Sequence, residues 1–320
     1  MITPHYYDKF RCIGSECKNN CCCGGWEIEV DDDALYRFKD IQGEFGKKVR
    51  NSINSENVFI RKNGRCPMLS ENGLCEMVLN GEELCIVCDE YPRFTEYFDE
   101  YIERGISLSC EAAADIILNS DEKLKLTGDT GECEEEIFAF LYSARNTVFE
   151  ILQDREKDVF TRIRLALNYG EKLQERINNN DFSEFSYLPC DTFVKKQPLS
   201  PFIDFLTTLD YLDSGWVDVL NNFSENELRD DIKLEQIAVY FVYRYFLKAV
   251  FDCDVFSKLK FMALSVATIN ALSVPCGSIF ESARRYSVEI EHNEENVDLI
   301  YDEFLFNEDL SSEKIIGMIN

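Results

Sequence analysis

Five cysteines fall within twelve residues, Cys12-Ile-Gly-Ser-Glu-Cys17-Lys-Asn-Asn-Cys21-Cys22-Cys23, and a second group follows at Cys66, Cys75, Cys85 and Cys88. With Cys110, ten of the 14 cysteines lie in the first 110 residues of a 320-residue chain. A disulfide framework belongs to short secreted chains whose cysteines are spread throughout. The opening residues, MITPHYYDKFRC, hold no apolar stretch and no small-residue cleavage site, so no secretory leader is expected and the thiols are read as reduced, in the cytoplasm. Crowded, reduced thiols point to metal. A closed zinc site of four cysteines and a thiolate-ligated iron–sulfur cluster both need soft, deprotonated sulfurs converging from several loops, and spacing alone does not choose between them. Neighbouring side chains of an extended run point in different directions, so the triplet is not expected to send all three sulfurs to one metal. Cys110 is open between a thiol activated at a helix start and a packed one. Cys133, Cys190, Cys253 and Cys276 stand alone and are read as small buried apolar residues.

Sixty acidic against 33 basic residues give a net charge of −27. Such a surface disfavours broad contact with nucleic-acid phosphates or anionic lipid and tolerates cationic partners. The longest apolar stretches, about 236–251 and 261–274, fall short of a membrane span, and Arg244 and Lys248 interrupt the first. With 45% hydrophobic residues the chain can bury a substantial core.

Between the cysteines the pattern predicts short elements. Residues 26–30 alternate like a strand, and Asp31, Asp32 and Asp33 can cap an amphipathic helix over about 34–50. Residues 57–64 read as a strand entering an Asn-Gly turn, and Glu71-Asn-Gly-Leu74 repeats the turn signal. Residues 105–109 read as extended, and Cys110 opens a helical pattern to Leu118. The polar stretch 119–131 is the linker candidate. Helical periodicity then dominates: two helices within 134–180, an irregular segment over 182–201, and helices over 202–212, 234–251, 258–272 and 279–306. The expected fold is mainly α-helical, with a cysteine-rich metal-binding module of short strands or hairpins over 1–118 and a larger helical domain over 132–320.

Taken in order, Phe10-x-Cys12-Ile-Gly-Ser-x-Cys17-x3-Cys21-Cys22 with Gly25-Trp26, Cys66-Pro-x-Leu69 with Gly73-Leu-Cys75, Leu84-Cys85-x2-Cys88-x2-Tyr91-Pro92-Arg93, and Leu108-Ser109-Cys110 resemble the flagellin lysine-N-methylase family, itself related to proteins with a CxxCxxxxCC iron- or zinc-chelating module. Tyr243-Arg-Tyr-Phe246 and Glu291-His292-x-x-Glu-Asn296 extend the likeness over most of the chain. The resemblance implies S-adenosylmethionine-dependent methylation of lysine ε-amino groups on flagellin, with a [4Fe–4S] cluster on the cysteines and zinc as the alternative metal. The implied ligands are Cys12, Cys17, Cys21, Cys22, Cys66, Cys75, Cys85 and Cys88. One departure is that Cys21-Cys22-Cys23-Gly24 stands where the family pattern has two cysteines and one variable residue before Gly-Trp. Counting from Cys17 makes Cys21 and Cys22 the counterparts.

A methylase needs a bound sulfonium donor and a neutral amine, and lysine ordinarily holds its proton to a pKa near ~10.4. No Gly-x-Gly-x-x-Gly follows a strand and opens a helix, so a Rossmann-like donor site is not expected. Cys17-x3-Cys21-x-Cys23 misses by one residue the Cys-x3-Cys-x2-Cys spacing of radical enzymes using this donor. Radical and donor-orienting roles for a cluster both stay open. Arg93 is a catalytic and donor-binding candidate, with Tyr91 beside it: a guanidinium suits the donor's carboxylate, a thiolate cluster, or equally a nearby acid. His292, one of two histidines, is the candidate base and rests on the resemblance. The run Tyr240 to Phe246 suits a pocket wall or a core stripe. The rival from another class is a zinc-braced, non-catalytic interaction module.

Overall fold

A computed structural model describes residues 1–191, 194–224 and 228–319. Thr192 and Phe193 of the irregular segment, and Asn320 at the end of the helical domain, lie outside the described residues. The chain opens with β1 (Ile2–Pro4) and runs through 3₁₀ turns before α1 (Asp32–Asp40) and α2 (Gly43–Asn51). One-turn helices α3 (Glu76–Leu79) and α4 (Ile86–Glu90) follow, then β2 (Arg93–Phe98), β3 (Tyr101–Ile106), α5 (Glu111–Leu118) and β4 (Leu126–Gly128). The remainder is helical: α6 (Glu136–Leu152), α7 (Val159–Asn178), α8 (Ser200–Leu206), α9 (Trp216–Asn221), α10 (Asp231–Tyr245), α11 (Ala249–Asp252), α12 (Val255–Ala271), α13 (Ile279–Tyr286), α14 (Glu294–Phe306) and α15 (Ser312–Met318). Among the described residues no helix is long and apolar enough to cross a membrane.

The four strands form one sheet in the order β2-β3-β1-β4. β2 and β3 make an antiparallel hairpin in which Phe98 faces Tyr101, so two residues turn the chain, and Asp99 takes the left-handed backbone. β1 lies parallel to β3 and antiparallel to β4. The stretch 119–131 therefore supplies an edge strand where the sequence reads as a linker. Gly105 is in β3 because a side chain there would strike the Phe94 ring. β1 and β4 are not predicted from the sequence because each has three residues, too short for alternation to register, and the extended stretch expected over 105–109 meets β3 only at its end.

Within the cysteine segments strand structure is sparser than expected. The 26–30 stretch contributes a single bridge, Glu29 to Val58, and the Asn63-Gly64 turn forms with both residues at positive φ. The single helix read over 34–50 divides into α1 and α2 at Gly43, whose φ is +76°. Arg50 closes the end of α1, donating to the Phe38, Lys39 and Ile41 carbonyls that the break leaves unpaired. Asp31 accepts from Ala34 N with one carboxylate oxygen and from Ile86 N with the other, starting α1 and α4 together.

Two hydrophobic cores result. Ile28, Val30, Phe38, Val49, Phe59, Met68 and Met77 enclose Cys66 and Cys85 in the smaller one. The larger core joins Tyr6, Phe10, the hairpin, α5 and the helices. Its axis is α12, buried along nearly its whole length, Lys258 and Lys260 included, and packed by α7, α10, α13, α14 and α15. Cys190 and Cys253 are exposed, which corrects their reading as buried apolar residues, and Cys253 ends α11 in a left-handed conformation; Cys133 and Cys276 are partly buried and pack against the larger core.

The sheet is tied to the helices by a buried ion pair. Arg145 of α6 donates through both terminal nitrogens to Glu103 of β3, at 2.6 and 2.7 Å, and Tyr101 Oη donates to the same carboxylate at 2.7 Å. Removing one member strands a buried charge. Arg145→Ala is expected to cost about 3–5 kcal/mol, read as a lower urea midpoint, whereas Arg145→Met combined with Glu103→Leu should recover most of that loss.

Candidate functional site

The two cysteine groups meet. Cys66 N donates to Cys22 O at 2.8 Å, and the Arg61 guanidinium donates to the carbonyls of Trp26, Cys22 and Gly64, binding both segments. Cys21-Cys22-Cys23 is a 3₁₀ turn rather than extended chain, started by Asn20, whose side chain accepts from Cys22 N at 2.9 Å. The turn sends Cys23 to the surface and leaves Cys21 and Cys22 half-buried. The Cys22 thiol stands between the Cys21 and Cys66 sulfurs and keeps its proton. Its S–H, acting before burial, lowers Cys21 and Cys66 to about 7. In a second pair Cys88 is raised by its bond to Cys85, and Cys85 is lowered. Cys75 is pushed up by burial and also feels Cys66 and Cys21.

Cys17 turns elsewhere. Its Sγ donates to Glu111 Oε2 at 3.5 Å, and burial, reinforced by that carboxylate, pushes it up to about 12. Cys110, raised by burial, interacts with Cys17, Cys12 and Cys21, and so stands between the two sets. In donor chemistry these free thiols fit a thiolate-ligated metal or iron–sulfur cluster. In geometry they fall into a Cys21–Cys22–Cys66 set and a Cys85–Cys88 pair, and among the described residues no group of three or more His, Cys, Asp or Glu side chains is arranged to hold a metal ion.

Beside Cys21 three aromatic rings converge from distant parts of the sequence. Trp26, whose Nε1 donates to Cys21 O at 3.2 Å, lies 4.9 Å from the His292 ring and 5.9 Å from Tyr91, centroid to centroid; Tyr91 and His292 are 6.0 Å apart. Trp26 and Tyr91 are half-buried, and His292 is exposed. Underneath, His292 Nε2 meets Ser109 Oγ at 2.6 Å, and Tyr91 Oη meets the same oxygen at 3.1 Å. Ser107 Oγ connects Ser109, Ser287 and Arg244 at 3.0–3.2 Å. Arg244 donates to Tyr240 Oη at 2.7 Å and pairs with Glu291 Oε2 at 3.3 Å, an oxygen that also accepts from Tyr240 and Tyr245.

A π-helical turn, Ser287–Glu291, makes this possible. It interrupts the continuous helix expected over 279–306 and delivers Ser287, Glu291 and His292 to one place. Crowding by protein atoms, then the Arg244 charge, push His292 below its ordinary pKa. Arg93 is engaged differently: Nη1 donates to Asp89 O at 3.2 Å and the guanidinium lies over the Phe10 ring at 5.1 Å. The structure thus joins Tyr91 and His292 through Ser109 and gives Arg93 partners of its own. The sequence does not single out Trp26, Ser107, Ser109, Arg244, Glu291 or Glu111 as site residues; only membership of the quoted motifs marks some of them, and serines carry no spacing signal.

These features belong to a distant relative of the flagellin lysine-N-methylase family. A lysine-N-methylase of Salmonella typhimurium is 26% identical over 148 residues, 41% of this chain and 35% of that protein. One from Salmonella choleraesuis gives the same values. The flagellar biosynthetic protein FliU of Salmonella muenchen is 26% identical over 144 residues, 39% of this chain and 81% of that protein. The match thus spans about a third of the length of the two lysine-N-methylases, and less of this chain than the motifs suggest. No family model and no solved structure matches the chain.

With only two histidines, both pushed down, first by burial, the site can be checked by NMR. The His292 ring should titrate with a midpoint below the ordinary 6.5. Since the unfolded chain then binds more protons than the folded one, the histidine contribution to stability is present above the unfolded value and is lost as pH falls through the folded one.

Proposed function

We propose that this chain is a protein-lysine N-methyltransferase that uses S-adenosylmethionine, acts on flagellin, and carries a cysteine-ligated [4Fe–4S] cluster. The observation that supports it most is the convergence of Gly25-Trp26, Tyr91-Pro92 and Glu291-His292, three separate motifs of the resemblance, on one aromatic surface beside Cys21. The names of the relatives point the same way.

The faces of Trp26 and Tyr91 are the kind of surface that holds a lysine ammonium or a sulfonium, since an aromatic quadrupole attracts cations. A half-buried setting also weakens the hydration that keeps the amine protonated. His292 is neutral and held by Ser109; its lowered pKa makes it a weak base, suited to relaying the amine's proton to solvent rather than storing it. Once neutral, the amine nitrogen forms its bond to the methyl carbon as the carbon–sulfur bond breaks, with the electron pair leaving on sulfur. Tyr91 is fixed by the Ser109 hydroxyl and so presents a constant ring orientation. We assign Arg93 a bracing role: through Phe10 it steadies the segment entering Cys12.

The ligands of the proposed cluster are drawn from Cys12, Cys17, Cys21, Cys22, Cys66, Cys75, Cys85 and Cys88, four of which one [4Fe–4S] cluster takes, with Cys110 close to both sets. When bound, a cluster supplies an iron able to coordinate the donor or to pass an electron. Cationic substrate protein suits the chain's charge of −27.

Protein purified without oxygen should contain iron and sulfide, and should move label from methyl-labelled S-adenosylmethionine to flagellin lysines. Trp26→Ala should reduce kcat/KM by roughly 5- to 30-fold, the worth of a desolvated cation–π contact of about 1–2 kcal/mol. Absence of label transfer by iron-replete protein would overturn the proposal.

A further inference from the structure

A cleft of about 630 Å³ opens between the 9–13 segment, α5 and α13, with Lys9, Arg11, Ile13, Glu111, Asp115 and Phe280 on its walls. That volume lies in the range of small-molecule sites, roughly 300–1,000 Å³. Two cations and two carboxylates line it, yet among the described residues none of the four forms an ion pair with any other.

Three of the four charges are engaged by local bonds. Arg11 folds Nη1 onto its own backbone, to Asp8 O at 2.9 Å and Phe10 O at 2.6 Å. Glu111 commits Oε2 to Cys17 Sγ, Lys18 N, Asn19 N and Asn19 Nδ2. The Asp115 carboxylate accepts from Asn119 Nδ2 at 2.7 Å. A gap walled by separated positive and negative groups is complementary to a zwitterion, and the Phe280 ring with Ile13 offers apolar cover for what the zwitterion carries.

We infer that this cleft binds the methyl donor, with Lys9 and Arg11 facing its carboxylate, Asp115 and the free edge of Glu111 facing its amino group, and Phe280 covering the adenosine. The cleft adjoins the reacting region: Glu111 holds Cys17, and Arg284 of α13 interacts with both Glu111 and Tyr91. This inference rests on the methyltransferase reading, and it supplies the donor site that the absence of a glycine-rich loop leaves open. Lys9, Arg11 and Asp115 are exposed, so their replacement leaves both cores intact.

The test is calorimetric titration of the full chain, purified without oxygen, with S-adenosylhomocysteine, methionine and adenosine, run beside the label-transfer assay. Wild type should bind S-adenosylhomocysteine, and methionine should compete. The double variant Lys9→Glu, Arg11→Glu should weaken binding about tenfold or more, as expected when a charged hydrogen-bonding pair is reversed. Asp115→Lys should weaken it too, with unchanged thermal melting in both cases. Unchanged affinity in the variants, with wild type still transferring label, would overturn the cleft and leave the methyltransferase reading standing. Failure of wild type both to bind and to transfer would overturn the two together.

Discussion

Arg244 cannot shed its charge at physiological pH, so placing it inside the protein obliges everything around it to be polar or aromatic in the right direction. Its side chain is largely covered, with the Glu291 carboxylate at 3.3 Å, Tyr240 and Ser107 hydroxyls within 3.2 Å, and the Phe94 and Tyr245 rings under its plane. Through these partners one guanidinium joins α10, the exit of β3, the hairpin and the π-helical turn. Ser109 and His292 are then positioned by a chain of contacts that starts from it. Glu291 Oε1 is buried with no hydrogen-bond partner among the described residues, so the network is saturated on one side only.

The regular parts of the molecule were legible because burial repeats. α6, α7 and α12 follow from apolar spacing alone, Asp31 from its chemistry as a cap, and Asn63-Gly64 from the left-handed backbone both residues tolerate. The site was legible only in pieces. Tyr91 and His292 lie 201 positions apart in sequence, and nothing short of the fold shows that they share Ser109. The π-helical turn is invisible to periodicity, because Ile279 to Phe306 keeps a helical pattern through it. Glu111 looks like any acid at a helix start until the 17–19 loop closes on it.

The thiols show how a strongly acidic chain keeps sulfurs near neutrality. Distributed negative charge opposes ionisation, yet Cys21 and Cys66 are held down by a neighbouring S–H, and Arg61 adds a local cation at Cys66. Shared protons do what a positive surface does elsewhere. Cys17 sits at the opposite extreme against Glu111, so the same short motif spans very different proton affinities.

The topology couples the cysteine segments to the sheet through chain entropy. β1 and β3 are parallel neighbours, and everything from His5 to Pro92, the smaller core included, is the excursion between β1 and the hairpin that contains β3. The entropy lost on closing such an excursion depends on its effective length, which shrinks when its interior is already organised. Anything that stiffens the region between Cys12 and Cys88 therefore tightens the register of Ile2 against Glu103, more than 80 residues away along the chain from Cys17. Damage to the buried thiols of the smaller core would therefore reach, through the chain, a strand that contains no cysteine at all.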